Sequence, residues 1–173
     1  MKLKRREVII KANQLGRQMD IANVRVSYAK EKNRRKFERI AESLMFDKVM
    51  PEVHKKHEEY QKEVKSLYET LSKGKTKQVS GPGGQIAEMY DVDTQSPEFT
   101  KKKETLDKKF AETITEYKAK MEEYEQFLNE EYEDDIPVFM LNFDDLPVNT
   151  SDAVMQIIEF MVREISVDEF NKQ

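Results

Sequence analysis

Apolar and small residues recur at Val8, Ala12, Leu15, Met19, Ala22, Val26 and Ala29 in spacings that alternate four and three. That alternation is the repeat of a helical seam, and its many alanines would let a partner helix approach closely. Asn33 and Lys36 then interrupt the seam, and Phe37 shifts the stripe by one residue before Ile40. A polar Asn in a seam can fix register at some cost in stability; equally, the seam can simply end near Ala29. Gly16 weakens a helix by about 1 kcal/mol relative to Ala, which places a possible kink at residues 16–21.

The pattern breaks between Phe46 and Pro51 and resumes with Val53, His57, Tyr60, Val64, Leu67 and Leu71. Proline suits the first turn of a helix and glycine the residues just past its end, so a helix is expected from Pro51 to Ser72, stopped at Gly74. Residues 75–95 hold two short polar-rich segments on either side of Gly81-Pro82-Gly83-Gly84, which read as a β-hairpin or as a flexible loop. Ser96-Pro97-Glu98 is a helix start, with an N-cap, a proline in the first turn and an early acid. The stripe Phe99, Leu106, Phe110, Thr113, Tyr117, Met121, Tyr124 and Leu128 carries that helix to about Tyr132. A short strand is expected over residues 136–143, and Thr150 or Ser151 caps a last amphipathic helix bearing Val154, Ile157, Ile158, Met161, Val162 and Ile165.

The expected fold is mainly α. It has a basic N-terminal helical arm (1–46) and an antiparallel, coiled-coil-like helical hairpin with a β tip at 75–95 (47–133). A compact C-terminal strand-helix module (134–173) completes it. A helix over 97–132 is about 54 Å long, whereas residues 4–72 would run to about 100 Å if straight. The first segment must therefore fold back or pair outside the chain. The expectation is self-association of the arm through Leu15, Met19, Ala22 and Val26, giving a homodimer or other homo-oligomer.

Composition agrees with rods more than with a globule. Of the 173 residues, 38% are hydrophobic and 37% charged, against about 45–50% and about 25% in ordinary domains. The net charge of −4 conceals an asymmetry: residues 1–40 hold 13 basic and 4 acidic residues, and residues 118–173 hold 4 and 15. The two ends should attract, within one chain or between two. Arg25, Lys32, Arg34, Arg35 and Arg39 are candidate contacts for nucleic-acid phosphates or an acidic protein surface. Glu130, Glu131, Glu133, Asp134 and Asp135 are a candidate surface for a basic partner.

Catalytic signals are weak. The chain has no Cys, which excludes thiol nucleophiles and thiolate metal sites. Its two histidines, His54 and His57, lie one helical turn apart without the Glu-x-x-His spacing of a bundle metal site. Gly74-Lys75-Thr76 resembles the end of a phosphate-binding loop, but Glu69 stands where that loop needs glycine. The acidic run lacks the order of acids and glycine of a calcium loop. No serine has a credible base. The expectation is a protein that is not an enzyme, with no cofactor, metal or small-molecule substrate. The charged start Met1–Glu7 and the absence of an apolar run of about 18 residues suggest a cytoplasmic protein without a membrane span.

Residues 85–165 resemble a group of small, uncharacterised proteins of bacteriophages and prophages. The likeness lies in Tyr90-x-Val92-Asp93 leading to Phe99, in Phe127-Leu128-Asn129-Glu130-Glu131, and in the acidic-to-apolar switch at Ile136. It continues in Leu146-Pro147 before a helix with Met155, Ile158 and Met161. The resemblance implies a viral origin and action in a bacterial cytoplasm on a host or viral protein. It assigns no activity and no site residues.

Overall fold

The computed structural model describes residues 1–18, 21, 23–80, 86–147 and 150–163. The chain is mainly helical, in the order α1 (Arg5–Gly16), α2 (Val24–Ser43), α3 (Phe46–Val49), α4 (Pro51–Ser72), β1 (Thr76–Ser80), β2 (Ile86–Tyr90), α5 (Pro97–Lys109), α6 (Ala111–Asn129) and α7 (Asp152–Ile158). Short 3-10 turns precede and follow α7 at Phe143–Asp145 and Glu159–Met161. Residues group into two compact units, Met1–Val49 with Tyr124–Gln173, and Met50–Glu123. This differs from a division into arm, hairpin and C-terminal module. The N-terminal helices and residues 136–161 share one core, and the boundary falls inside α6.

In the first unit the N-terminal segment is not one long arm. Helix α1 stops at Gly16, and Asn23 starts α2 by accepting hydrogen bonds from the backbone N–H of Arg25 and Val26. The two helices pack on each other, so the alanine-rich seam closes within the chain: Val8, Ala12 and Leu15 of α1 and Val26 and Ala29 of α2 are buried together. Phe37, Ala41, Leu44, Ile136, Leu141, Ile157, Ile158 and Met161 complete this core. Phe37 is its largest fully buried side chain and meets the edge of Phe160 at 5.6 Å.

Backbone pairing ties the ends together. Arg5 donates its N–H to the Glu130 carbonyl at 3.0 Å, and Tyr132 donates to the Leu3 carbonyl at 2.8 Å. The expected strand over 136–143 is instead an extended segment with one isolated parallel bridge, Leu141 to Val162. Ile136 and Leu141 bury their side chains in a helical core, and no second strand lies alongside among the described residues. The last helix starts on Ser151, which accepts from the Val154 N–H, and ends earlier than its stripe suggests. Ile165 lies outside the described residues.

The second unit follows its local signals. Pro51 opens α4, and Lys73 and Gly74, both with positive φ, close it. Ser96 caps α5 through the Phe99 N–H. Contacts run in opposite order along the two sides: His57 with Tyr117, Tyr60 with Phe110, and Tyr68 with Phe99. Helix α4 is therefore antiparallel to α5 and the first part of α6. The helix expected over 97–132 is divided at Phe110 (φ −109°, ψ 19°) and ends at Asn129. The division is one residue wide: Phe110 still donates to Leu106 and Ile114 still donates to Phe110. The β tip forms as two antiparallel strands, Thr76 opposite Tyr90 through Ser80 opposite Ile86. Its Gly-Pro turn lies outside the described residues.

Candidate interaction surface

The basic stretch of α2 is largely neutralised by its own neighbours. Arg34 bonds Glu31 at 2.7 Å and Glu38 at 2.6 Å, and Arg35 bonds Glu31 at 2.7 Å. Hydrogen bonds from Arg34 and then Arg35 hold the Glu31 carboxyl down at about 2. Arg25 pairs with Asp145, whose carboxyl is lowered by that bond and by the Asn142 N–H. Lys30 and Lys36 donate to the carbonyls of Arg17 and Pro137. Of the five candidate contacts, only Lys32 and Arg39 are exposed without an acidic partner among the described residues. Lys32 lies over the Tyr28 ring at 5.6 Å.

The acidic run meets this same chain. Glu130 and Glu133 accept Arg5 at 2.7 and 3.5 Å, and Asp135 faces the Met1 amine at 3.5 Å. Arg6 pairs with Glu125, and Lys2 donates to the Glu133 carbonyl. Glu131 and Asp134 stay exposed without an ion pair among the described residues. Arg5 is buried, with its guanidinium 4.1 Å from the Phe127 ring centre and a hydrogen bond to the Phe127 carbonyl at 3.1 Å. It is a clamp between the start of the chain and the end of α6. Nothing in its basic surroundings distinguishes it in the sequence.

Two of the four residues expected to carry self-association, Leu15 and Val26, do not face outward. Leu15 and Val26 are covered by the core of their own chain, at 0% and 1% exposure, because α1 folds back on α2. Met19 and Ala22 lie outside the described residues.

Several large apolar side chains do face outward, and two aromatic ones touch each other. Tyr28 (53% exposed) and Phe139 (39%) meet edge to face at 5.6 Å, and Val24 (81%) stands one turn before Tyr28. Asn33 fixes this arrangement from beneath. Its fully buried amide donates to the Phe139 carbonyl at 2.9 Å and accepts from the Phe139 N–H at 2.8 Å. The side chain thus satisfies both peptide groups of one residue, as a neighbouring strand would. Further along, Asn23 donates to the Asp145 carbonyl, and exposed Phe143 lines an open groove of about 520 Å³ with Leu146, Pro147 and Met155.

In the second unit, Tyr60, Lys103 and Asp107 form a half-buried triad. Tyr60 donates to Asp107 at 2.8 Å, and Lys103 lies 2.9 Å from the Tyr60 hydroxyl and pairs with Asp107. Hydrogen bonding from Lys103 lowers the Asp107 carboxyl. Burial pulls the Lys103 ammonium down, but the bonds to Asp107 and Tyr60 outweigh it and its pKa is raised. Both charged partners are thus held in their ionised forms, which suits a clamp across the helical hairpin. The i, i+4 spacing of Lys103 and Asp107 was the one sequence signal for it. His57 stacks on Tyr117 at 3.6 Å, and His54 lies 3.6 Å from Glu58. Among the described residues no three His, Asp or Glu side chains converge as a metal site would require, and no helix is long and apolar enough to cross a membrane.

Comparison with protein-family models, with curated proteins and with solved structures gives no match to this chain.

Proposed function

We propose that the chain is a non-enzymatic, phage-type protein-interaction module, acting as an assembly accessory or as an inhibitor of a host system. The observation that carries this reading is the exposed Tyr28–Phe139 pair, positioned by a buried Asn33 whose hydrogen bonds are spent on the Phe139 backbone. Aromatic side chains dominate the energetics of protein interfaces. One held in place before binding loses less conformational freedom when a partner arrives. Val24 widens the apolar surface, and Arg25 and Lys32 give it a polar margin. The ion pairs within the basic stretch favour this reading over nucleic-acid binding.

The test uses the tagged full chain as bait in bacterial lysate, alongside a Tyr28→Ala/Phe139→Ala variant with an unchanged circular dichroism spectrum. A protein held by the parent chain and lost from the variant supports the proposal. Equal retention by both, or none by either, removes it.

A further inference from the structure

Strands β1 and β2 form a two-stranded sheet whose residues are all exposed except the half-buried Tyr90. Such a pair is marginal on its own in water; helix α4 contacts β2, and a further strand can add at an edge. Which edge is open to addition follows from the ladder. Asp91 donates its N–H to the Lys75 carbonyl at 2.9 Å, which sets Lys75 and Asp91 at a hydrogen-bonded position of the ladder, while the Lys75 N–H bonds the Ser72 carbonyl. Hydrogen-bonded and non-hydrogen-bonded pairs alternate along an antiparallel ladder. With Gln78 opposite Glu88, Lys77 and Val79 turn their peptide groups toward β2. Thr76, Gln78 and Ser80 turn theirs to the outer edge.

We propose that the outer edge of β1 pairs with the same edge of a second copy, antiparallel about a two-fold axis at Gln78. This register overlaps all of Thr76–Ser80. It places Gln78 opposite Gln78 of the second copy, Thr76 opposite Ser80, and Lys77 opposite Val79, with no like charges facing. The outward groups of Thr76, Gln78 and Ser80 supply about six backbone hydrogen bonds, two for each hydrogen-bonded pair.

The alternatives are worse on charge or on closure. An axis at Lys77 sets two ammonium groups opposite each other, and self-pairing of β2 about its centre does the same for two Glu88 carboxylates. Like charges directly opposite are destabilising. Pairing β1 with β2 of the next copy is head-to-tail and leaves a free edge at each end, so it would propagate. The two-fold β1 pair closes, and its four-stranded sheet ends on edges that carry Glu88, a charge that discourages further addition. On one face the exposed Val79 of each copy gains the aliphatic stem of Lys77 from the other. This interface draws on neither Tyr28 nor Phe139 and stands or falls apart from the proposed function.

The chain has no cysteine, so single substitutions report the register directly. In the proposed pair the two Gln78 Cα atoms lie about 5.5 Å apart, within disulfide reach. Two Lys77 or two Val79 residues are diagonal, at about 7–8 Å, beyond it. Under mild oxidation Gln78→Cys should give a covalent dimer, while Lys77→Cys and Val79→Cys, also at exposed positions, should not. Gln78→Pro removes an outward N–H that the β1–β2 ladder does not use; sedimentation should show the parent chain at twice the monomer mass and this variant at the monomer mass. A monomeric parent chain, equal crosslinking at all three positions, or a dimer that persists in a folded Gln78→Pro variant would each overturn the proposal. Should that variant fail to fold, the cysteine series decides alone.

Discussion

Asn33 and Arg5 show how a polar side chain can be placed correctly in the sequence pattern and still have its role concealed. Asn33 interrupts a seam, which the sequence displays. Its partner is the backbone of Phe139, 106 residues away, and periodicity cannot reach that far. Asn33→Ala leaves the Phe139 N–H and carbonyl without their protein partner and should cost about 1–3 kcal/mol. Asn33→Asp should cost more, since a carboxylate can accept from the Phe139 N–H but opposes the carbonyl and is charged while buried. Thermal unfolding of the two variants checks both the loss and its order. Arg5 reads in the sequence as one more charge in a basic run. In the fold it combines a ring contact, a carbonyl bond and two carboxylates. Both carboxylates are exposed and can return to water, so Arg5→Ala should cost about 2 kcal/mol, through lost packing and bonding more than through stranded charge. Arg5→Lys should restore less than half of that in denaturant titration, because an ammonium lacks the planar group that lies over the Phe127 ring while one nitrogen bonds the Phe127 carbonyl and Glu130 and the other faces Glu133.

Among the elements, those with local punctuation were legible. Pro51 and the Lys73-Gly74 turn bound α4, and Ser96-Pro97 starts α5, because caps and stops act within a few residues. The break at Phe110 had no such signal. Its backbone departs from helical geometry, and its ring packs against Tyr60 of α4, a contact no local pattern announces. The strand expected at 136–143 failed for a related reason: an apolar run can be drawn into a core by helices as well as by another strand. Within the α4 hairpin, His57 is half-buried on Tyr117, and its pKa is lowered, chiefly by burial and secondarily by the nearby His54. Above the ordinary value of 6.5 the ring is neutral in both folded and unfolded chains and stability is unaffected. As pH falls through 6.5 the unfolded chain takes up the proton first, so stability declines until the folded chain is protonated too. Unfolding followed across that range should therefore show a loss toward acid that a His57→Phe variant lacks. An identical slope in the variant would assign the effect to other groups.

For the molecule as a whole, the charge asymmetry was plain in the sequence but its destination was not. The basic start and the acidic finish could close on each other within a chain or between two, and composition treats these alike. The ion pairs of Arg5, Arg6 and Arg25 with Glu130, Glu125 and Asp145 close it within one chain, in the unit that both ends build. That closure bears on nucleic-acid binding, because a guanidinium already held by a carboxylate must give up that partner before it can neutralise a phosphate. Of the five basic residues first considered, Lys32 and Arg39 are left without an acid among the described residues. Each phosphate neutralised contributes about −0.9 to the slope of log affinity against log salt. Two such contacts give a slope of about −2, and mM-range affinity at most in ordinary salt, where proteins with many contacts show steep dependence. Titration of labelled duplex DNA and single-stranded RNA at two salt concentrations should accordingly show no tight binding. A micromolar complex with a slope steeper than about −4 would mean that Arg25, Arg34 and Arg35 exchange their carboxylates for phosphates, and would return the basic stretch of α2 to the centre of the function.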